Sequence, residues 1–106
     1  MYISDCIDAI QFGLDNSSKT VEIFNVGSKD RIDVNTIAQA VMNEMSLTNV
    51  EITYTGGVDG GRGWKGDVKN MHLDITKLVS LGWIPKYDSL EAVKLATRNM
   101  ISKSRN

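Results

Sequence analysis

The sequence predicts an α/β fold, in which a small and mostly parallel sheet is flanked by helices. Segments rich in β-branched and aromatic residues alternate along the chain with segments whose apolar residues recur every three or four positions. Each predicted strand is separated from the next by a helix, and this order favours parallel pairing. The 106 residues form one domain or part of one, with too few strands for a complete doubly wound domain.

The first half of the chain holds two predicted helices and one strand. Ser4 is expected to cap a helix from Asp5 to Leu14, with Asp5 in its first turn. Residues 21–26 are dense in β-branched and aromatic side chains and are predicted to form a strand. Asp33 is expected to cap the second helix, which has the clearest amphipathic pattern in the sequence, formed by Val34, Ile37, Ala38, Val41, Met42 and Met45.

The second half continues the alternation. Residues 50–54 alternate apolar and polar side chains as a half-buried strand does, and residues 68–73 form a short extended segment. Asp74 is expected to cap a brief helix that reaches Leu78 and stops at Gly82. Trp83 is expected to pack over the end of this helix.

The last predicted helix opens with a capping box. Asp88 takes the cap position and Glu91 the position three residues later. The polar tail from Ser102 to Asn106 is expected to fray. One side of this helix is formed by Leu90, Val93, Thr97, Met100 and Ile101.

A glycine-rich loop at residues 56–67 carries the strongest chemical signal, because it contains six of the nine glycines. Such a cluster usually indicates positive φ angles or a close approach of backbone to another group. The cations Arg62 and Lys65, with the amides of residues 60–63, suit a phosphate or diphosphate. A solvated surface connection explains the loop equally well. Trp64 is a lid, a stacking surface or an interface anchor.

Composition excludes several classes of function. With 12 basic and 13 acidic residues the net charge is −1, so we expect no binding to nucleic acid or to an anionic membrane. No apolar run is long enough to span a bilayer, and no signal peptide is present. The single cysteine, Cys6, excludes an internal disulfide and fits a reducing cytoplasm. His72 is the only histidine, so we expect no metal site.

The loop is not a dinucleotide-binding fingerprint. That fingerprint places its glycines at a turn between a strand and a helix. Gly61, Gly63 and Gly66 lead instead into the extended segment 68–73. Cys6 and His72 lack the partners of a catalytic triad, so neither is expected to be catalytic.

Three stretches together resemble the C-terminal portion of the extended short-chain dehydrogenase/reductase family, in its NAD-dependent sugar-nucleotide epimerase/dehydratase branch, which includes UDP-glucose 4-epimerases. The resemblance implies a fragment of a Rossmann-type fold that includes its substrate-binding part. Residues 1–106 are then the sugar-nucleotide-binding region of a larger enzyme. The stretches are Tyr2–Ile10; Phe24–Ser28 with Ile32–Ala38; and Gly66–Val68 with Leu73–Leu78 and Leu81–Pro85.

The resemblance also implies a substrate site. In the family, an arginine just ahead of the glycine–aspartate pair contacts the diphosphate of the sugar nucleotide. The nearest arginine here is Arg62, four residues before Gly66, whereas the commoner family spacing falls on Trp64. Met71 matches a position that faces the sugar in some relatives. The predicted substrate-binding residues are therefore Gly61, Arg62, Gly63, Trp64, Lys65 and Met71.

The catalytic parts of the family are missing from this sequence. Its tyrosine–lysine pair, separated by three residues, does not occur, because Tyr2, Tyr54 and Tyr87 are followed four positions on by Cys6, Val58 and Glu91. The glycine-rich cofactor turn is missing as well. The resemblance therefore implies a chain that is inactive alone, with no catalytic or cofactor-binding residue of its own.

NAD and a UDP-sugar are then expected only in the full-length enzyme. Self-association or a homodimer is also expected, since a missing domain leaves apolar surface exposed. The alternative is a non-enzymatic α/β interaction module whose glycine-rich loop and Trp64 bind a protein partner.

Overall fold

The computed structural model describes residues 1–104 and contains four helices in that range. They are α1 (Ile3–Asp15), α2 (Val34–Glu44), α3 (Thr76–Ser80) and α4 (Ser89–Ser104). Helices α2 and α4 pack against each other, and Arg98 of α4 forms a two-pronged ion pair with Glu44 of α2. Its Nε and Nη2 lie 2.6 and 2.8 Å from the two carboxylate oxygens. Arg98 thereby holds the pKa of Glu44 below its ordinary value.

The predicted sheet is wrong. Within residues 1–104 the only β-type pairing is one antiparallel bridge between Val58 and Arg62, and the segments 21–26, 50–54 and 68–73 form no ladder. A strand exists only when a neighbour accepts its backbone hydrogen bonds. The β-forming composition of 21–26 is real, but no segment of this chain lies beside it.

The helix starts divide into one wrong prediction and two confirmed ones. Helix α1 begins one residue before Ser4, and its cap position, Tyr2, makes no side-chain hydrogen bond. Asp33 does cap α2, because its Oδ1 accepts a 2.9 Å hydrogen bond from the Thr36 amide. This bond lowers the pKa of the Asp33 carboxyl.

The capping box of α4 forms as predicted. The Asp88 carboxylate accepts from the Glu91 amide at 2.7 Å, and the Glu91 carboxylate accepts from the Asp88 amide at 3.1 Å. Helix α4 continues to Ser104, so residues 102–104, predicted to fray, are helical; Arg105 and Asn106 lie outside the described residues. Met100, predicted on the apolar side, is 72% exposed.

Helix α3 is held at both ends by local hydrogen bonds. Asp74 accepts from the Thr76 amide at 2.9 Å near the start. After the helix, Gly82 has a φ of +109°, and the Trp83 amide donates to the Leu78 carbonyl at 3.1 Å. The glycine is suited to this left-handed turn because it has no Cβ. The predicted stop at Gly82 is confirmed, and the helix runs two residues past Leu78.

The core is small and lies where α1 meets α3. Trp83 is 6% exposed and packs with Leu78 at the end of α3, as predicted. Asp5 is buried beside this region, and its Oδ2 accepts a 3.1 Å hydrogen bond from the Tyr87 amide. The core cluster consists of Ala9, Ile75, Leu78 and Trp83, with Phe12, Phe24 and Val26 packed against it.

Candidate functional site

The glycine loop contains a tight hairpin. Val58 and Arg62 exchange two backbone hydrogen bonds of 2.8 Å, and three residues form the turn between them. All three turn residues have positive φ: Asp59 at 47°, Gly60 at 79° and Gly61 at 89°. Left-handed backbone is easily reached by glycine, which explains the predicted need for glycines at this point.

Gly57 is required for a second reason. A Cβ built at this position would lie 2.4 Å from the Arg62 carbonyl oxygen, and its φ is +64°. Gly56 has a φ of +81° but no atom within 4 Å of its Cβ position. The close approach at Gly57 therefore permits the hairpin to close, whereas Gly56 serves the chain direction only.

Arg62 is the organising side chain of the loop. Its Nε donates to the Asp67 carbonyl at 3.0 Å, and its Nη1 donates to the Asp59 carbonyl. The Asp67 carboxylate accepts from the amides of Gly63 and Val68 at 3.0 and 2.8 Å. Arg62 and Asp67 thus fix both ends of the segment that the sequence singled out as an anion-binding loop.

Some donors of the loop remain available. The Nη2 group of Arg62 makes no hydrogen bond to any of residues 1–104. Lys65 is exposed, and Trp64 is 67% exposed beside it. A partly engaged guanidinium with a neighbouring ammonium is positioned to bind an anion without losing its place.

Two loop residues were missed by the sequence analysis. Lys69 reaches back across the hairpin and donates from Nζ to the Gly60 carbonyl. Asp67 was recognised only as part of the glycine–aspartate pair, not as the acceptor that holds the Gly63 amide. Lys69 follows that pair by two residues, which was the only signal for it in the sequence.

Met71 lies apart from the loop. Its side chain is 73% exposed and lines two cavities, of about 400 and 360 Å³, that it shares with Arg31 and Ile32. No residue of the glycine loop lines either cavity. The structure therefore brings together the predicted site residues from Gly61 to Lys65, but it does not bring Met71 to them.

The remaining reactive side chains are dispersed. His72 Nε2 lies 3.3 Å from the Ser28 carbonyl oxygen, and Cys6 is half-buried on α1. In the part of the chain that the structure describes, no three His, Cys, Asp or Glu side chains are grouped so as to hold a metal ion. No helix in that range is long and apolar enough to cross a membrane.

Comparison with known proteins gives one informative result. No protein-family model and no curated protein matches the chain. Among solved structures, it is similar to one titled "Crystal Structure of UDP-galactose 4-epimerase", with a TM-score of 0.79 and 31% sequence identity. The match covers 97% of this chain and 32% of that one, so the chain spans about a third of the length of the structure it matches. The resemblance to the epimerase-like extended short-chain dehydrogenases/reductases is thereby confirmed, with this chain corresponding to a fragment of such a protein.

Proposed function

We propose that this chain is the sugar-nucleotide-binding part of an NAD-dependent UDP-sugar 4-epimerase of the cytoplasm. The observation that carries the proposal is the match to a UDP-galactose 4-epimerase over nearly the whole chain. The hairpin built around Arg62 supports it, because this loop joins backbone amides and cations at one place. The homodimer expected from the resemblance belongs to the same proposal.

The diphosphate of the nucleotide sugar is the group that the loop binds in this proposal. Two negative charges on adjacent phosphates attract the free Nη2 of Arg62 and the ammonium of Lys65. The amides around Gly60 and Gly61 add neutral donors, since successive residues with positive φ turn N–H groups toward a concave side. Trp64 supplies an exposed ring next to these donors, suited to stacking on a base or sugar.

The residues of this chain do not fit NAD. The positive-φ glycines lie in a hairpin whose exit is irregular, and the next helix, α3, starts only at Thr76 and has five residues. A dinucleotide site needs the glycine turn directly before a helix N-terminus. Cofactor binding and proton transfer are therefore assigned to the rest of the enzyme, and the chain is proposed to be inactive alone.

A chimera tests the binding role. This chain replaces the matching third of the UDP-galactose 4-epimerase structure, and binding of UDP-glucose and UDP is measured by calorimetry. Arg62→Ala is expected to weaken binding by about tenfold or more, because charge-assisted hydrogen bonds contribute about 1.5–3 kcal/mol. Lys19→Ala, an exposed cation outside the loop, is the matched control. Equal affinities of the two variants would remove Arg62 from the site.

A second candidate is an interaction module without enzymatic function. It is favoured by the exposure of Trp64, since aromatic side chains are common anchors at protein interfaces. Trp64→Ala separates the two candidates. The epimerase proposal expects a loss of nucleotide-sugar affinity in the chimera, and the module expects unchanged affinity.

A further inference from the structure

One side of the molecule carries apolar side chains that nothing in residues 1–104 covers. On α1, Ile3, Ile7, Ile10 and Leu14 recur on one face and are between 59 and 71% exposed. A groove of about 500 Å³ separates α1 from residues 20–26, and Ile10, Leu14 and Val21 line it. We call this surface, α1 with residues 20–26, the open face.

Residues 20–26 have the pattern of a strand without a neighbour. Val21 and Ile23 are 79 and 78% exposed, while Glu22, Phe24 and Val26 are half-buried, so exposure alternates with a period of two. No backbone–backbone hydrogen bond joins this segment to another in the described part of the chain. Unpaired backbone groups of this kind form a template for an added strand.

The inner side of the same segment is fixed. The Lys77 ammonium accepts no proton but donates to the Ile23 carbonyl at 2.8 Å, pairs with Glu22 at 3.1 Å and lies 4.4 Å from the centre of the Phe24 ring. The segment is therefore held in place on one side while its outer side chains and amides stay exposed. A partner strand would meet an edge that is already positioned.

The size of the exposed surface indicates what covers it. The chain exposes 8142 Å². A compact protein of its mass exposes about 5,900 Å², which leaves an excess of roughly 2,300 Å². A standard interface buries about 800 Å² on each partner, so the excess suits contact with a large domain rather than with a peptide. The radius of gyration, 17.2 Å, likewise exceeds the roughly 13 Å expected for this length.

We propose that the open face is covered by the part of an epimerase-like subunit to which this chain has no counterpart. About two thirds of the matched epimerase structure lies outside the match, which supplies a partner of sufficient size. That part adds a β-strand alongside residues 20–26 and places apolar side chains in the groove beside Ile10. The inference rests on the proposed function, but its test needs no nucleotide sugar.

The test compares the same variants in the chain alone and in the chimera described above. Ile10→Asp charges the groove, and Ile23→Pro removes an amide from the edge that the added strand would use. Both positions are exposed in the chain alone, so the midpoint of urea unfolding should barely change there. In the chimera both variants should lower it clearly. Met100→Asp, an equally exposed apolar position on α4, is the control and should be neutral in both proteins.

Hydrogen exchange gives a second readout. The amides of residues 21–26 should exchange more slowly in the chimera than in the chain alone, by a factor on the order of a hundred or more. Equal exchange rates, a chimera that fails to fold, or Ile10→Asp acting like Met100→Asp would each overturn the proposal. So would sedimentation showing that a second copy covers these amides in the chain alone. Nucleotide-sugar affinity, measured separately with Arg62→Ala, reports failure of the proposed function.

Discussion

The two sides of α1 differ as a packed interface differs from an unfinished one. On one side, Asp5, Ala9 and Gly13 are buried, and Gly13 lies so close to Phe24 that a Cβ there would meet its ring at 3.3 Å. On the other side, Ile7 is 59% exposed, like the other apolar residues of its face. Both sides are apolar, so hydrophobicity alone does not say which is covered.

The difference shows that this chain is organised by contacts that reach only part of its apolar surface. The buried side is joined to α3 and to the start of α4 by Leu78, Trp83 and the bond from Tyr87 to Asp5. The open face has the same kind of side chains without such contacts. Variants on the two sides should therefore differ in effect, and the following predictions are ordered from the largest effect to the smallest.

Leu78→Ala should have the largest effect on stability. Leu78 is fully buried, and truncating such a leucine costs about 2–5 kcal/mol, a large share of the stability of a small domain. Ile7→Ala, on the open face, should change the free energy of unfolding little. Urea unfolding followed by circular dichroism measures both, and similar losses at the two positions would contradict the distinction between the sides.

Asp5→Ala should destabilise the chain by about 1–3 kcal/mol, because it leaves the Tyr87 amide without its acceptor in a part-buried place. Asp5→Asn keeps an acceptor oxygen and should recover part of the loss. Asp8→Ala is the control, since Asp8 is exposed and only 3.8 Å from Lys86. A cost at Asp8 as large as that at Asp5 would show that charge, not burial, decides.

Lys77→Ala should loosen residues 22–24 with a smaller effect on global stability. Its contact with the Phe24 ring is worth about 0.5–1 kcal/mol at an exposed site. Lys86→Ala, an exposed lysine on the same side of α1, serves as the comparison. Faster hydrogen exchange at residues 22–24 in Lys77→Ala alone is the expected result, and identical exchange in both variants would contradict it.

Acid should destabilise the chain, with a small contribution from each group. The pKa of Glu22 is lowered mainly by its bond from the Ser18 amide and then by Lys77, and those of Asp33, Glu44 and Asp74 are lowered by their own partners. Because these pKa values are lower folded than unfolded, their stabilisation is complete above about pH 4–5 and is lost as the pH falls further. Unfolding midpoints measured from pH 7 to 3 should decrease, and Glu44→Gln should flatten the curve. A midpoint that rises on acidification would contradict these assignments.

The sequence predicts local features of this fold well. The cap at Asp33, the reciprocal pair of Asp88 and Glu91, and the stop at Gly82 depend on residues within a few positions of each other. The chemistry of such motifs is complete within the segment itself. The buried place of Trp83 followed from the same local pattern.

Long-range features were less accessible. The composition of residues 21–26 indicates a strand, but whether a strand forms depends on a neighbour that residues 1–104 do not supply. In the loop, the glycines predicted the positive φ angles, whereas the bond from Arg62 to the Asp67 carbonyl depends on the closed hairpin. The separation of Met71 from the loop likewise depends on tertiary structure.

Small-angle scattering of the monomer, separated by gel filtration, tests the central claim that this chain leaves a face open for the rest of a larger fold. The account predicts a radius of gyration near 17.2 Å, with residues 21–26 unprotected in the same sample. A value near 13 Å, about that of a compact domain of this length, would show that the chain closes on itself and would contradict the account.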